Sequence, residues 1–183
     1  MKTPNLTSKQ KRLIKELDEI ASLLHLNYRE IQEYERESRT TRLELVKRHF
    51  IRGEVVLQYT LVDEFLNNIL CRYFFGKRIS FIRLWKTKRF RTFNYFVIEK
   101  LSLMEKLAFV KSIKKLPKSV VADVERLNAL RNGIAHAFFP ENLRSSKPPW
   151  KGKDIFSTQD LNSFIEDIAA LSDFFVHQMM AWS

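Results

Sequence analysis

Apolar residues recur along this chain mostly at steps of three and four and seldom in alternation, a spacing that predicts helices. A first helix is expected over residues 8–37, with Leu13, Leu17, Ile20, Leu24, Ile31 and Tyr34 as an apolar stripe among charges. Thr41 and Glu44 have capping-box spacing, which predicts a fresh start there. The second helix would carry Val55, Leu57, Leu61, Phe65, Ile69 and Phe74 and stop near Gly76. A third is expected from Phe93 to Ile113, and Pro117 suits the opening of a fourth that runs to Phe139 and is stopped by Pro140. Residues 144–152, with Ser145, Ser146, Pro148, Pro149 and Gly152, read as a loop. A fifth helix from Thr158 would turn Leu161, Phe164, Ile165, Ile168, Leu171, Phe175 and Met179 inward. The expected fold is all-α, an up-and-down bundle of four to five main helices with a long N-terminal helix. It reads as one domain, 1–183, in which 1–39 is a helical extension and 40–183 the bundle.

Composition agrees with this and adds a partner class. A chain of 183 residues, 45% of them hydrophobic, can build one core, and four glycines and five prolines leave long uninterrupted helical stretches. Lys and Arg number 32 against 21 Asp and Glu, so the net charge is +11 and an anionic partner is expected. Residues 77–91 alone hold seven Lys and Arg and no acid, interleaved with Phe81, Trp85 and Phe90. The single cysteine, Cys71, cannot form an internal disulfide, and no Cys/His cluster has zinc-ligand spacing, so neither metal nor cofactor is expected. The remaining histidines, His25, His49 and His177, sit singly on helical segments. The first residues lack the apolar core of an export signal, and charges interrupt every candidate membrane span. A cytoplasmic protein without a membrane partner is the expectation. Glycine-rich phosphate loops and Gly-x-Ser-x-Gly turns are absent from the sequence.

The most informative stretch lies on the fourth helix. Val120, Val124, Leu127, Leu130, Ile134 and Phe138 cluster on one face and predict its buried side. Asn128, Asn132 and His136 stack at four-residue steps on another, beside Ala129 and Gly133. Between Leu127 and Phe139 the only charge is Arg131, which is unlike a solvated face and predicts that this side is also covered. Arg131 and His136 are five residues apart, hence roughly 140° and about 7.5 Å apart on an ideal helix. Two copies related by a twofold axis would bring an Arg and a His from each chain into one cleft.

The run Glu125-Arg126-Leu127-Asn128-Ala129-Leu130-Arg131-Asn132-Gly133-Ile134-Ala135-His136 resembles the signature helix of HEPN-domain proteins: Arg, four to six residues, then His, often with a polar residue after the Arg. Leu61 to Leu70 and Leu103 to Leu107 are similar to the bundle helices of that family, so the resemblance covers roughly residues 40–180. It implies a HEPN-like bundle that homodimerises and cleaves RNA without metal, with Arg131 and His136 catalytic and Asn132 and Asn128 supporting them. In that chemistry His136 would exchange a proton with the ribose 2′-hydroxyl or the leaving 5′-oxygen, and Arg131 would hold the scissile phosphate. A toxin or defence effector, restrained by a protein antitoxin or inhibitor, is the implied setting. Some HEPN toxins carry a modifiable tyrosine two residues after the motif His; here that place holds Phe138, which has no hydroxyl. The alternative reading is a non-catalytic HEPN-like dimeric module that binds RNA or a protein, and a third is a purely structural dimerisation module.

Two further segments have a functional and a structural reading. Arg83, Lys86, Lys88, Arg89 and Arg91 would contact RNA phosphates while Trp85 or Phe90 stacks on bases; otherwise the aromatics anchor a connection and the charges are solvated. Arg144, Lys147, Trp150, Lys151 and Lys153 would flank the cleft, or else form a connector pinned by Trp150.

Overall fold

The computed structural model describes residues 7–24, 26, 36–76, 81–136 and 150–180, except the side chains of residues 36–38, 81–82, 135–136 and 179–180. The described residues are helical, with no strand beyond one isolated bridge between Trp150 and Lys153. The helices are α1 (Ser8–Leu23), α2 (Arg36–Phe75), α3 (Phe81–Leu84), α4 (Lys88–Phe96), a 3-10 turn (Ile98–Lys100), α5 (Leu103–Ile113), α6 (Lys118–His136) and α7 (Thr158–Met180). The chain divides into two compact units, Met1–Phe50 and Ile51–Ser183.

In the first unit, Thr7 and Gln10 close a reciprocal capping box that starts α1. This helix ends at Leu23, not at residue 37. None of its side chains is buried, and Leu13, Leu17, Ile20 and Leu24 of the expected stripe are exposed. The bonds Leu24 N–H to the Ile20 carbonyl and Leu26 N–H to the Ala21 carbonyl, at 3.0 and 2.8 Å, close its last turn. Ile31, Tyr34 and His25 lie outside the described residues. The next helix begins at Arg36, so Thr41 and Glu44 stand inside α2 and cap nothing.

The second unit contains the core. Val55, Val62, Leu66 and Leu70 of α2, Leu103 and Leu107 of α5, Val124 and Leu127 of α6, and Phe164 and Phe175 of α7 are all at or near zero exposure. Leu57, Leu61 and Phe74 of α2 are exposed, and so is Ile165 of α7, which was expected to face inward. Leu57 lies roughly 200° around the helix from Val55, so the two cannot face one core. Phe65 stacks on Phe175 of α7 at 5.8 Å, and Phe74 meets Phe93 of α4 and Phe109 of α5 at 5.1 and 5.5 Å. α2 is thus the element on which α4, α5 and α7 converge.

The single helix expected over 93–113 is broken in two. Ser102 and Glu105 form a capping box that restarts the chain as α5, a local Ser-x-x-Glu signal that outweighs the continuous apolar period. α2 ends as expected at Gly76, whose φ of +79° is the left-handed conformation that glycine adopts without strain. Lys118 opens α6 directly after Pro117, and the expected face, Val120, Val124, Leu127, Leu130 and Ile134, is buried. Phe138, Phe139, Pro140 and the loop up to Pro149 lie outside the described residues.

Trp150 anchors the return of the chain to α7. Its ring is fully buried edge-on to Phe164 at 5.0 Å, and its indole N–H donates to Asp167 at 2.7 Å. Lys151 bridges Asp167 and Asp123 at 2.9 and 3.4 Å, tying this connector to both α7 and α6. Burial raises the Asp167 carboxyl, but the indole N–H and the Lys151 ammonium outweigh it and hold the group below its usual range. Trp150 thus pins the chain, while Arg144 and Lys147 of the same segment lie outside the described residues.

Candidate functional site

Arg131 is half-buried on α6, one turn from the helix end. Its guanidinium lies over the ring of Tyr59 on α2, 5.2 Å from the centroid, and its Nη1 donates to Asn132 Oδ1 at 3.1 Å. No carboxylate among the described residues pairs with it. A guanidinium carries five N–H donors, and among the described residues an aromatic face and one amide engage only part of that hydrogen-bonding capacity. Asn128, Asn132 and Gly133 are half-buried alongside, while Ala129 is exposed, so this face is only partly covered within one chain. His136 is the last residue of α6, and its side chain lies outside the described residues.

Tyr59 connects this corner to a second one. Burial raises its hydroxyl pKa, as does the charge of Asp63 one turn along α2, while Arg131 and the Leu103 backbone amide pull it down. Asp63 in turn accepts from the Lys106 ammonium of α5 through both carboxylate oxygens, at 2.8 and 2.7 Å. Lys106 is the one charged residue that is buried among the described residues. Such a pair is costly to desolvate and destabilising to break, so it fixes how α5 sits on α2. Sequence reasoning missed Asp63 and Lys106 because the partners are 43 residues apart and each looks like an ordinary polar residue of an amphipathic helix. Tyr59, Asp63 and Lys106 also line a cavity of about 450 Å³ between α2, α4, the 3-10 turn and α5.

No protein-family model, curated protein or solved structure matches this chain. The functional reading therefore rests on its own residues.

The five candidate RNA-contacting cations, Arg83, Lys86, Lys88, Arg89 and Arg91, are all exposed, on and between α3 and α4. The aromatics among them divide. Phe90 is buried and packs edge-on to Phe75 at 5.4 Å, which makes it an anchor. Trp85 touches Phe90 at 4.9 Å yet remains 49% exposed, with ring surface open to a stacking partner. Arg89 leans over Phe75 at 5.5 Å. The side chains of Phe81 and Lys77 lie outside the described residues. Among the described residues no three His, Cys, Asp or Glu gather closely enough to hold a metal ion, and no helix is long and apolar enough to cross a membrane.

Proposed function

We propose that this chain is a HEPN-type endoribonuclease that acts as a homodimer and cleaves RNA without a metal ion. The observation that supports it best is Arg131, a half-buried arginine beside Asn132 and Asn128 with no carboxylate partner among the described residues. A positive charge held by an aromatic face and a neutral amide is suited to an anion that arrives from outside, such as a phosphodiester. In the proposed reaction the ribose 2′-oxygen attacks the adjacent phosphorus and the bond from phosphorus to the 5′-oxygen breaks. The products are a 2′,3′-cyclic phosphate and a 5′-hydroxyl. His136 moves a proton at one of the two oxygens, Arg131 stabilises the charge that builds on the phosphoryl oxygens, and Asn132 and Asn128 orient these groups. Because Arg131 and His136 diverge along one helix, the second copy of α6 completes the cleft. The exposed cations from Arg83 to Arg91 hold the flanking RNA, and restraint by a protein inhibitor would suit a toxin or defence role.

A non-catalytic RNA- or protein-binding module is the second reading, favoured by one observation: Tyr59 and Asn132 would hold Arg131 in place with no RNA bound. Incubation of the purified chain with RNA in EDTA separates the two. Wild type is expected to yield 2′,3′-cyclic phosphate ends and to leave DNA intact, while Arg131→Ala and His136→Ala each lose on the order of 100-fold or more in rate. Equal cleavage by all three proteins would overturn the assignment of these residues. RNA binding without turnover by the wild type would favour the second reading.

A further inference from the structure

The cavity between α2, α4, the 3-10 turn and α5 has a chemistry opposite to that of the molecule as a whole. The chain carries +11, yet the cavity is lined by three carboxylates, Asp63, Glu64 and Glu99, against one ammonium, Lys106. Lys106 is already neutralised by Asp63, which leaves Glu64 and Glu99. Neither has a Lys or Arg partner among the described residues, although the chain holds 32 such residues.

Both free carboxylates are held in place by neutral donors. Asn67 Nδ2 donates to Glu64 at 3.0 Å and Asn94 Nδ2 donates to Glu99 at 2.7 Å, which fixes each carboxylate while leaving its charge intact. Asn67 Oδ1 is buried without a partner, and it is the one cavity-lining side-chain atom among the described residues in that condition. The half-exposed Trp85 ring lines the same cavity and supplies apolar surface and a π-face that attracts cations, while the Tyr59 ring there already carries Arg131 and Phe90 lies buried behind Trp85.

From this juxtaposition we infer that the cavity binds a small organic cation, an ammonium or guanidinium group on an apolar body. The cationic head sits between Glu64 and Glu99, and the body lies against Trp85. A volume of about 450 Å³ is within the range of small-molecule sites. The inference does not depend on the ribonuclease reading, because it uses neither Arg131 nor His136.

Calorimetric titration of the full chain with phenethylammonium and butylguanidinium, set against the uncharged phenethyl alcohol and butylurea at matched ionic strength, tests it. The cations are expected to bind saturably and at least about tenfold more tightly than their neutral counterparts. Glu64→Gln/Glu99→Gln should abolish that preference, and Trp85→Ala should weaken both cations. Glu99→Gln alone, at an exposed position of the 3-10 turn, preserves the test if the double variant does not fold. Equal affinity for charged and neutral probes, an unchanged cation preference in the Gln variants, or no saturable binding to the wild type would each overturn the assignment.

Discussion

Cys71 shows what one buried position dictates. The thiol is 2% exposed, and burial, helped by the nearby Glu64 charge, pushes its pKa from 9.0 up to about 12. A thiol that stays protonated is neither a nucleophile nor a metal ligand. Native protein at pH 8.5 is therefore expected to resist labelling by a disulfide reagent that reacts at once in urea; rapid native labelling would contradict this burial. The same shift links to stability. Between pH 9 and 12 the unfolded chain has released this proton while the folded chain keeps it, so the unfolded state binds fewer protons and stability falls as pH rises through that window. Below pH 9 the group contributes no pH dependence. At this scale the sequence was readable where a residue's context was local. Asn128, Arg131 and Asn132 are half-buried and Ala129 beside them is exposed, so the covering implied by the shortage of charge is met only in part. The pairing of Lys106 with Asp63 was not readable, because burial of a charge depends on a partner brought in from a distant turn.

The helices repeat this division. Where a local rule set the boundary, expectation and structure agree: Gly76 ends α2, Pro117 precedes α6, and α7 begins at Thr158. Gly76→Ala is expected to cost roughly 1–2 kcal/mol in urea denaturation, because a φ of +79° places a Cβ too near the following carbonyl. No neighbour lies within 4 Å of the added Cβ, so the cost would come from the backbone alone, and a neutral substitution would show that the helix end can re-form elsewhere. Where two local signals competed, the outcome followed packing. Thr41 has the residues of a cap but lies within a helix that begins at Arg36, whereas Ser102 with Glu105 does cap, at a point where the chain must turn from the 3-10 segment onto α2. The apolar stripe of α1 had the right period for a buried face and buries nothing. Periodicity states that a face is apolar; it does not supply the surface that covers it.

For the molecule as a whole, charge is the property most directly tied to function. If the proposed RNA contacts form, the cations on and between α3 and α4 release counterions on binding. The logarithm of affinity for a single-stranded RNA should then fall with the logarithm of salt concentration, by about 0.7 per phosphate contacted. Replacing Lys86, Lys88 and Arg91 by Gln, in a His136→Ala background that prevents cleavage, is expected to reduce that slope by about 2. An unchanged slope would assign these charges to solvation, with Phe90 as the structural reason for the segment. The exposed Trp85 ring belongs to both this surface and the cavity, so Trp85→Ala is informative for RNA and for organic cations alike.

By itself the sequence determined the all-α class, the main helix boundaries marked by Gly76, Pro117 and Thr158, the buried face of α6 and the concentration of positive charge between residues 77 and 91. These follow from period, backbone chemistry and composition, each of which acts over a few residues. Tertiary structure alone decided the rest: that Arg131 rests on Tyr59 with no carboxylate partner among the described residues, that Lys106 is buried against Asp63, and that Glu64 and Glu99 share a cavity with Trp85 in a basic protein. Each joins residues from different helices, and the free energy of a charge is set by the groups that surround it in space.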